Sequence, residues 1–393
     1  MAGKRQKRAK RTKKIRLKAV HLLLPVILGG IALLGSSFYI FRSSAKSPFV
    51  YEEVYSRPSE LKKEISKVDR AVYESLYRKG VREKDILFLS VRPEVESGDD
   101  WDFTELLVRM TDRASASQLD GLISRALGEL KPSILYSREE RRGREIIGRV
   151  YTLGRCTHRV VLSYSGQDRV RRKGRPKIAF IMDDLGYDLA FFKELEDLDL
   201  SIVCSVLPLA PHTERISDAV RRRGWELMLH LPMEPKEYPR LNPGPGALRT
   251  DMEAREILCL LGDHLRQIPE VQGVNNHMGS RFSEDEEKMA LVLNELKTRG
   301  LFYIDSRTTS RTVAVKVARR LGVPAASRSV FLDNDLSEEA MNFQMKRLLG
   351  IARHKGSAIG IGHPHRETLK VLRGYLGKLK EEVEIVKASD LVS

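Results

Sequence analysis

The sequence predicts an α/β protein. Its C-terminal half, residues 177–393, reads as a mostly parallel sheet covered by helices, preceded by a transmembrane helix and a small α+β domain. Three observations carry this. Strand-like and helix-like runs alternate regularly after Lys177. A run free of Asp, Glu, Lys and Arg extends from Ala19 to Phe41, directly behind a dense basic block. A polar, basic stretch broken by Gly and Pro, residues 165–176, separates two segments of different texture.

The net charge of +16 looks at first like a nucleic-acid signal, but its placement decides otherwise. Lys4, Arg5, Lys7, Arg8, Lys10, Arg11, Lys13, Lys14, Arg16 and Lys18 concentrate it in residues 1–18, and the rest of the chain has an ordinary surplus. At ~1.5 Å per residue, Ala19–Phe41 spans roughly 30 Å as a helix, enough to cross a bilayer core. Positive charge before such a span places 1–18 in the cytoplasm and the main body outside it, in a bacterium the periplasm or cell surface. Residues 19–41 are therefore expected as a single-pass signal anchor in the inner membrane, with Ser43-Ser44-Ala45 a weak cleavage site if the anchor were removed. No nucleic-acid partner is expected, since most of the chain would lie across the membrane from the basic tail. An apolar content of 41% excludes a disordered chain. Cys156, Cys204 and Cys259 are odd in number and far apart, which excludes a disulfide framework and a zinc motif.

Residues 42–58 read as a linker. Leu61, Ile65, Val68, Val72 and Leu76 then recur at helical spacing, with Ser59 as cap and Gly80 as stop. Strand-like runs follow at Ile86–Val91, Trp101–Val108, Ile134–Tyr136, Glu145–Tyr151 and Arg159–Tyr164, with a helix at Ser117–Leu130. This small α+β domain, 59–164, holds no ligand-type cluster of His, Asp or Glu and is expected to bind a partner protein or act as a spacer. Beyond the basic linker 165–176, strands are expected at Lys177–Met182, Ser201–Leu207, Glu226–His230, Gln272–Asn275, Leu301–Ile304, Val323–Ala326, Ser357–Ile361 and Glu384–Val386. Helices between most of them imply a parallel sheet, either a closed or distorted barrel or an open doubly wound sheet.

In such folds the active site lies where the strands' C-terminal ends feed into loops. Five of these ends carry Asp or His: Asp183-Asp184, His230, Asn275-Asn276-His277, Asp305 and His363. Adjacent carboxylates in a regular strand point to opposite faces, but the turn after the strand could bring one of Asp183 and Asp184 toward a metal and the other toward a water. Neutral imidazole and carboxylate suit Zn²⁺, with Mn²⁺, Co²⁺ or Ni²⁺ as alternatives. A divalent ion would lower the pKa of a bound water, a nearby carboxylate could take its proton, and a His opposite could serve the leaving group.

The motifs IMDDLGY, HLPMEP, GVNNHMGSRF, YIDSRT and IGHPH, in this order, resemble the divergent polysaccharide deacetylases, over about Lys177 to Val392. The resemblance implies a distorted (β/α) barrel of about seven mostly parallel strands. It implies a metal-dependent hydrolase that removes acetyl groups from a cell-envelope polysaccharide, or an inactive relative that binds glycan or a protein partner. Carried over by position, Asp183 becomes the base, Asp184 and His230 metal ligands, and His363 the acid with Asp305 near it. The parent pattern His-x-x-x-His is broken, because Glu234 stands four residues after His230. Either Glu234 is the third ligand or His277 is. His277 is favoured, with Asn275 and Asn276 orienting it. Arg281 and Arg307 border the rim as candidate contacts to an anionic glycan.

Overall fold

A computed structural model describes residues 59–96, 99–141, 144–164 and 174–393. The expected tail, anchor and linker over 1–58 lie outside the described residues, as does most of the linker 165–176. Among the described residues, no helix is long and apolar enough to cross a membrane.

The first part is a five-stranded sheet with two helices. Helix α1 (Glu60–Arg78) starts where the Ser59 hydroxyl accepts from the Lys62 amide, and Gly80 at φ +73° carries the chain out of it. It is followed by β1 (Ile86–Glu96), β2 (Asp99–Arg109), α2 (Arg113–Gly128), β3 (Ile134–Arg141), β4 (Glu145–Thr152) and β5 (Arg155–Ser163). The strand order is β1-β2-β5-β4-β3, with β2 and β5 parallel and the other pairs antiparallel.

The second part alternates as expected: β6 (Lys177–Leu185), α3 (Leu189–Glu196), β7 (Val203–Val206), α4 (Thr213–Arg223), β8 (Leu227–Met233), α5 (Ala254–Gln267), β9 (Gly273–Met278), α6 (Glu286–Thr298), β10 (Phe302–Asp305), α7 (Ala314–Leu321), β11 (Ala325–Ser327), β12 (Val330–Phe331), α8 (Glu338–Lys355), β13 (Ser357–Gly362), α9 (Arg366–Glu382) and β14 (Glu384–Ile385). All pairings are parallel, in the order β11-β10-β9-β8-β7-β6-β13-β12, with β14 added to β6. The sheet has nine strands where about seven were expected; β14 falls on the expected run Glu384–Val386, and β12, only two residues long, has no counterpart among the expected runs. Only Arg328 and Ser329 separate β11 from β12, so the two edges of the curled sheet are successive pieces of one chain segment.

Side-chain alternation sorts this sheet into two faces. The outer face joins the large core formed with the helices. The inner face forms a smaller apolar plug that includes Ala179, Ile181, Val203, Met228, Phe302, Ile304, Ile359 and Ile361. Gly273 makes room for it, since a Cβ there would lie 2.4 Å from the Phe302 ring. One step further along each strand, the inward residue is polar.

The two parts share the large core, and α8 lies between them. The Phe343 ring on α8 meets Tyr73 of α1 edge-on at 4.6 Å. Gly350 of α8 packs against Phe88 of β1, where a Cβ would come within 2.6 Å of the Phe88 ring. Gly350→Val should therefore lower stability by ~1–3 kcal/mol through overpacking. Gly374→Ala on α9, where a Cβ meets nothing within 4 Å, should raise it by up to ~1 kcal/mol. Thermal unfolding followed by circular dichroism compares the two. Equal midpoints would mean that the contact between the parts yields freely.

Candidate metal centre

Strand register places the polar residues in one layer above the plug. On β13 and β6, Ile361 lies beside Ile181, which puts His363 level with Asp183. On β8 and β9, His230 lies beside Asn275, and Pro232 beside His277 one step higher.

Asp184 joins this layer through an irregularity. Between Met182 and Leu185 the ladder to β7 shifts by one residue, so Asp183 and Asp184 together oppose the single Ser205. Asp184 has φ +56°, a left-handed conformation that Asp tolerates better than most residues. Met182 and Leu185 both belong to the outer core, while the carboxylates between them both turn inward. The bulge lets two adjacent carboxylates serve one site.

Asp184 Oδ1 lies 2.9 Å from His230 Nε2 and 2.9 Å from His277 Nδ1. These are hydrogen-bond separations, yet none of the three atoms has a partner with hydrogen-bond directionality. All three side chains are buried, and their ligand atoms lie within 4.8 Å of one another. Their burial and their carboxylate and imidazole donors suit a divalent ion. These are the only three residues grouped in this way among the described residues.

Asn275 is the hub beneath them. Its amide nitrogen donates to both oxygens of Asp183, at 2.8 and 3.0 Å, and its oxygen faces His230 Nδ1 at 2.9 Å. A carbonyl oxygen can only accept, so Nδ1 carries the proton and the Nε2 lone pair is directed at the centre. Asn275 thus orients His230 and Asp183, whereas His277 was its expected target. Asn276 serves the scaffold, donating to the Met278 carbonyl and accepting from Tyr303 and the Ser306 amide.

Other expected residues are engaged elsewhere. Glu234 accepts from Thr250 and pairs with Arg281 at 3.2 Å, so its carboxylate is committed away from the centre. Asp305 accepts from the Arg307 amide and Thr312, holding the turn after β10. The carboxylate that meets His363 is Asp333 instead: it accepts from Nδ1 at 2.8 Å, from the His363 amide at 2.6 Å and from Thr368 at 2.7 Å. Arg307 pairs with Asp102 of the first sheet at 3.4 Å.

Electrostatics separate the two carboxylates. Burial raises the pKa of Asp183 and outweighs the neighbouring imidazoles. For Asp184 burial acts in the same direction, but His277 and His230 overcome it and hold the group well below the ordinary range. Burial alone would lower His230, yet Asp183 and Asp184 push it up to about 9. An ion must then displace this proton, so its affinity should rise with pH, by roughly tenfold per unit below about 9 for one proton. Titration calorimetry with Co²⁺ at two pH values checks this, and a flat profile would exclude His230 as a ligand.

A curled parallel α/β sheet with a buried Asp-His-His group at its C-terminal rim defines a class of protein able to hold one divalent ion. The family model described as divergent polysaccharide deacetylase matches residues 180–392. The chain belongs to this family. Over 217 residues it is 33% identical to the uncharacterized protein YibQ of Escherichia coli (strain K12), covering 55% of this chain and 67% of that one. An uncharacterized protein of Haemophilus influenzae is 31% identical over 215 residues, with 55% and 76% covered. Among solved structures, the uncharacterized protein ATU2773 from Agrobacterium tumefaciens C58 aligns with a TM-score of 0.53 at 26% identity, covering 57% of this chain and 92% of that one.

Proposed function

We propose that this protein is a metal-dependent hydrolase removing acetyl groups from a cell-envelope polysaccharide, held at the inner membrane through residues 19–41 with its main body outside the cytoplasm. The observation that carries the reading is the convergence of the buried Asp184, His230 and His277 on one point. These three residues would hold the ion, most simply Zn²⁺ given the ligand types. Such an ion supplies Lewis acidity and lowers the pKa of a bound water.

The chain's own groups do the rest. Asp183, raised in pKa by burial and held by Asn275, takes a proton from the attacking water. His363, fixed through Nδ1 by Asp333, presents Nε2 to give a proton to the leaving group. Asn275 links base and ligand, so both keep their orientation through a cycle.

The test is acetate release from acetylated glycan fragments by the full-length protein, with Zn²⁺ and with a chelator. Release that requires the ion supports the proposal. A second reading, glycan binding without hydrolysis, is favoured by the burial of the centre: Asp184 is 1% exposed and His277 5%. Glycan bound with no acetate released would select that reading, and failure to take up any divalent ion would sink the metal site itself.

A further inference from the structure

A cleft of about 1440 Å³ opens between α1, α8 and the loops after β10 and β12, outside the metal centre. Ten Lys or Arg residues and six Asp or Glu residues line it, so positive charge is in excess. Several of the acids already have partners: Asp69 meets His158 at 3.0 Å, Glu74 meets Arg78 at 3.4 Å and Glu339 meets Arg70 at 3.2 Å.

The rim side of the cleft holds three guanidinium groups. Arg328 donates to the Ser306 and Arg307 carbonyls and lies 3.6 Å above the Phe331 ring. Arg307 pairs with Asp102. Arg347 is 8% exposed and donates from Nη2 to Thr104 at 3.3 Å, while its buried Nε has no hydrogen-bond partner. Asp102 is the carboxylate these groups share. Burial works to raise its pKa, yet Arg307, Arg347, Arg328 and Lys62 bring it below the ordinary value. A buried cation with an unsatisfied donor is costly unless an anion completes it.

We propose that this cleft binds an acidic sugar chain, with a carboxylate or phosphate of the glycan seated among Arg307, Arg328 and Arg347. The anion preference stands on the cleft alone; that the ligand is a sugar chain rests on the function proposed above. The size supports a chain over a single ion, since the cleft far exceeds the volume of one phosphate. Its position does too. The Ser306 hydroxyl accepts from Asn275 at the metal centre, and the Ser306 carbonyl accepts from Arg328, so the two sites share a wall. The family match covers residues 180–392, whereas α1 and Asp102 lie before it, so this selectivity is built jointly by the two parts of the chain.

The experiment measures binding of the full-length protein to oligogalacturonate, to a neutral chito-oligosaccharide of equal length and to inorganic phosphate, at low and high salt. The acidic oligomer should bind at least about tenfold tighter than the neutral one, and less tightly at high salt. Arg307→Gln and Arg347→Gln should each remove most of that preference while the divalent-ion content stays at the wild-type level, which reports an intact fold. Equal binding of both oligomers, or variants that bind like wild type, would overturn the inference. So would phosphate binding with neither oligomer bound. Selective binding without acetate release would sink the hydrolysis reading and leave the cleft assignment standing.

Discussion

Asp184→Asn is expected to strip the protein of its divalent ion while leaving it folded. Asn is among the few residues that accept a left-handed backbone, so the φ of +56° and the bulge beside β7 are retained. The negative oxygen between His230 and His277 is lost, together with the charge that balances two imidazoles in a buried layer. Removing residues that merely orient ligands costs ~10–100-fold in metal affinity, so loss of the central anionic ligand should exceed ~100-fold. Elemental analysis of protein purified without chelator should fall from about one equivalent to near zero. Unchanged content would mean that the ion, if bound, sits elsewhere.

Asp183→Asn should behave in the opposite sense, keeping the ion and losing the chemistry. Asp183 lies 3.8 Å from His230 Nδ1, the side of the ring turned away from the ligand atom, and Asn275 holds both groups. The amide preserves volume but cannot take a proton. General base catalysis contributes typically ~10²–10⁴-fold, so acetate release should drop by that factor with metal content within error of wild type. Activity within a few-fold of wild type would remove Asp183 from the base role. The pair of variants separates holding the ion from moving the proton.

Much of this arrangement is legible in the sequence. Apolar runs of four to six residues ending in Asp, Asn or His marked both the strands and the polar layer, because burial demands the first and the rim permits the second. Strand β12 is not legible, because Val330–Phe331 is too short to show a period. With it went Asp333, which follows that strand and holds His363. Asn275 and Asn276 look equivalent in a row of letters, but alternation sends one toward the centre and the other into the scaffold. Glu234 stands at a ligand-like spacing, and only the distant Thr250 and Arg281 reveal why it is unavailable. Asp184 is the clearest case. Its inward turn depends on one extra residue in a ladder, and nothing in the IMDDLGY motif announces the bulge.

The pairing of β6 with β13 also imposes a long wait during synthesis. Ser357 sits beside Lys177, about 180 residues apart along the chain. At ~5–20 residues per second, the ribosome needs roughly 10–40 s after finishing β6 to deliver its neighbour. During that interval one side of β6 has no sheet partner, a state prone to wrong association. The Asp-His-His group can assemble from residues 184 to 277 well before then, whereas His363 arrives only with β13. All three residues of that group are therefore synthesised before the chain reaches His363 and the strand that closes the sheet.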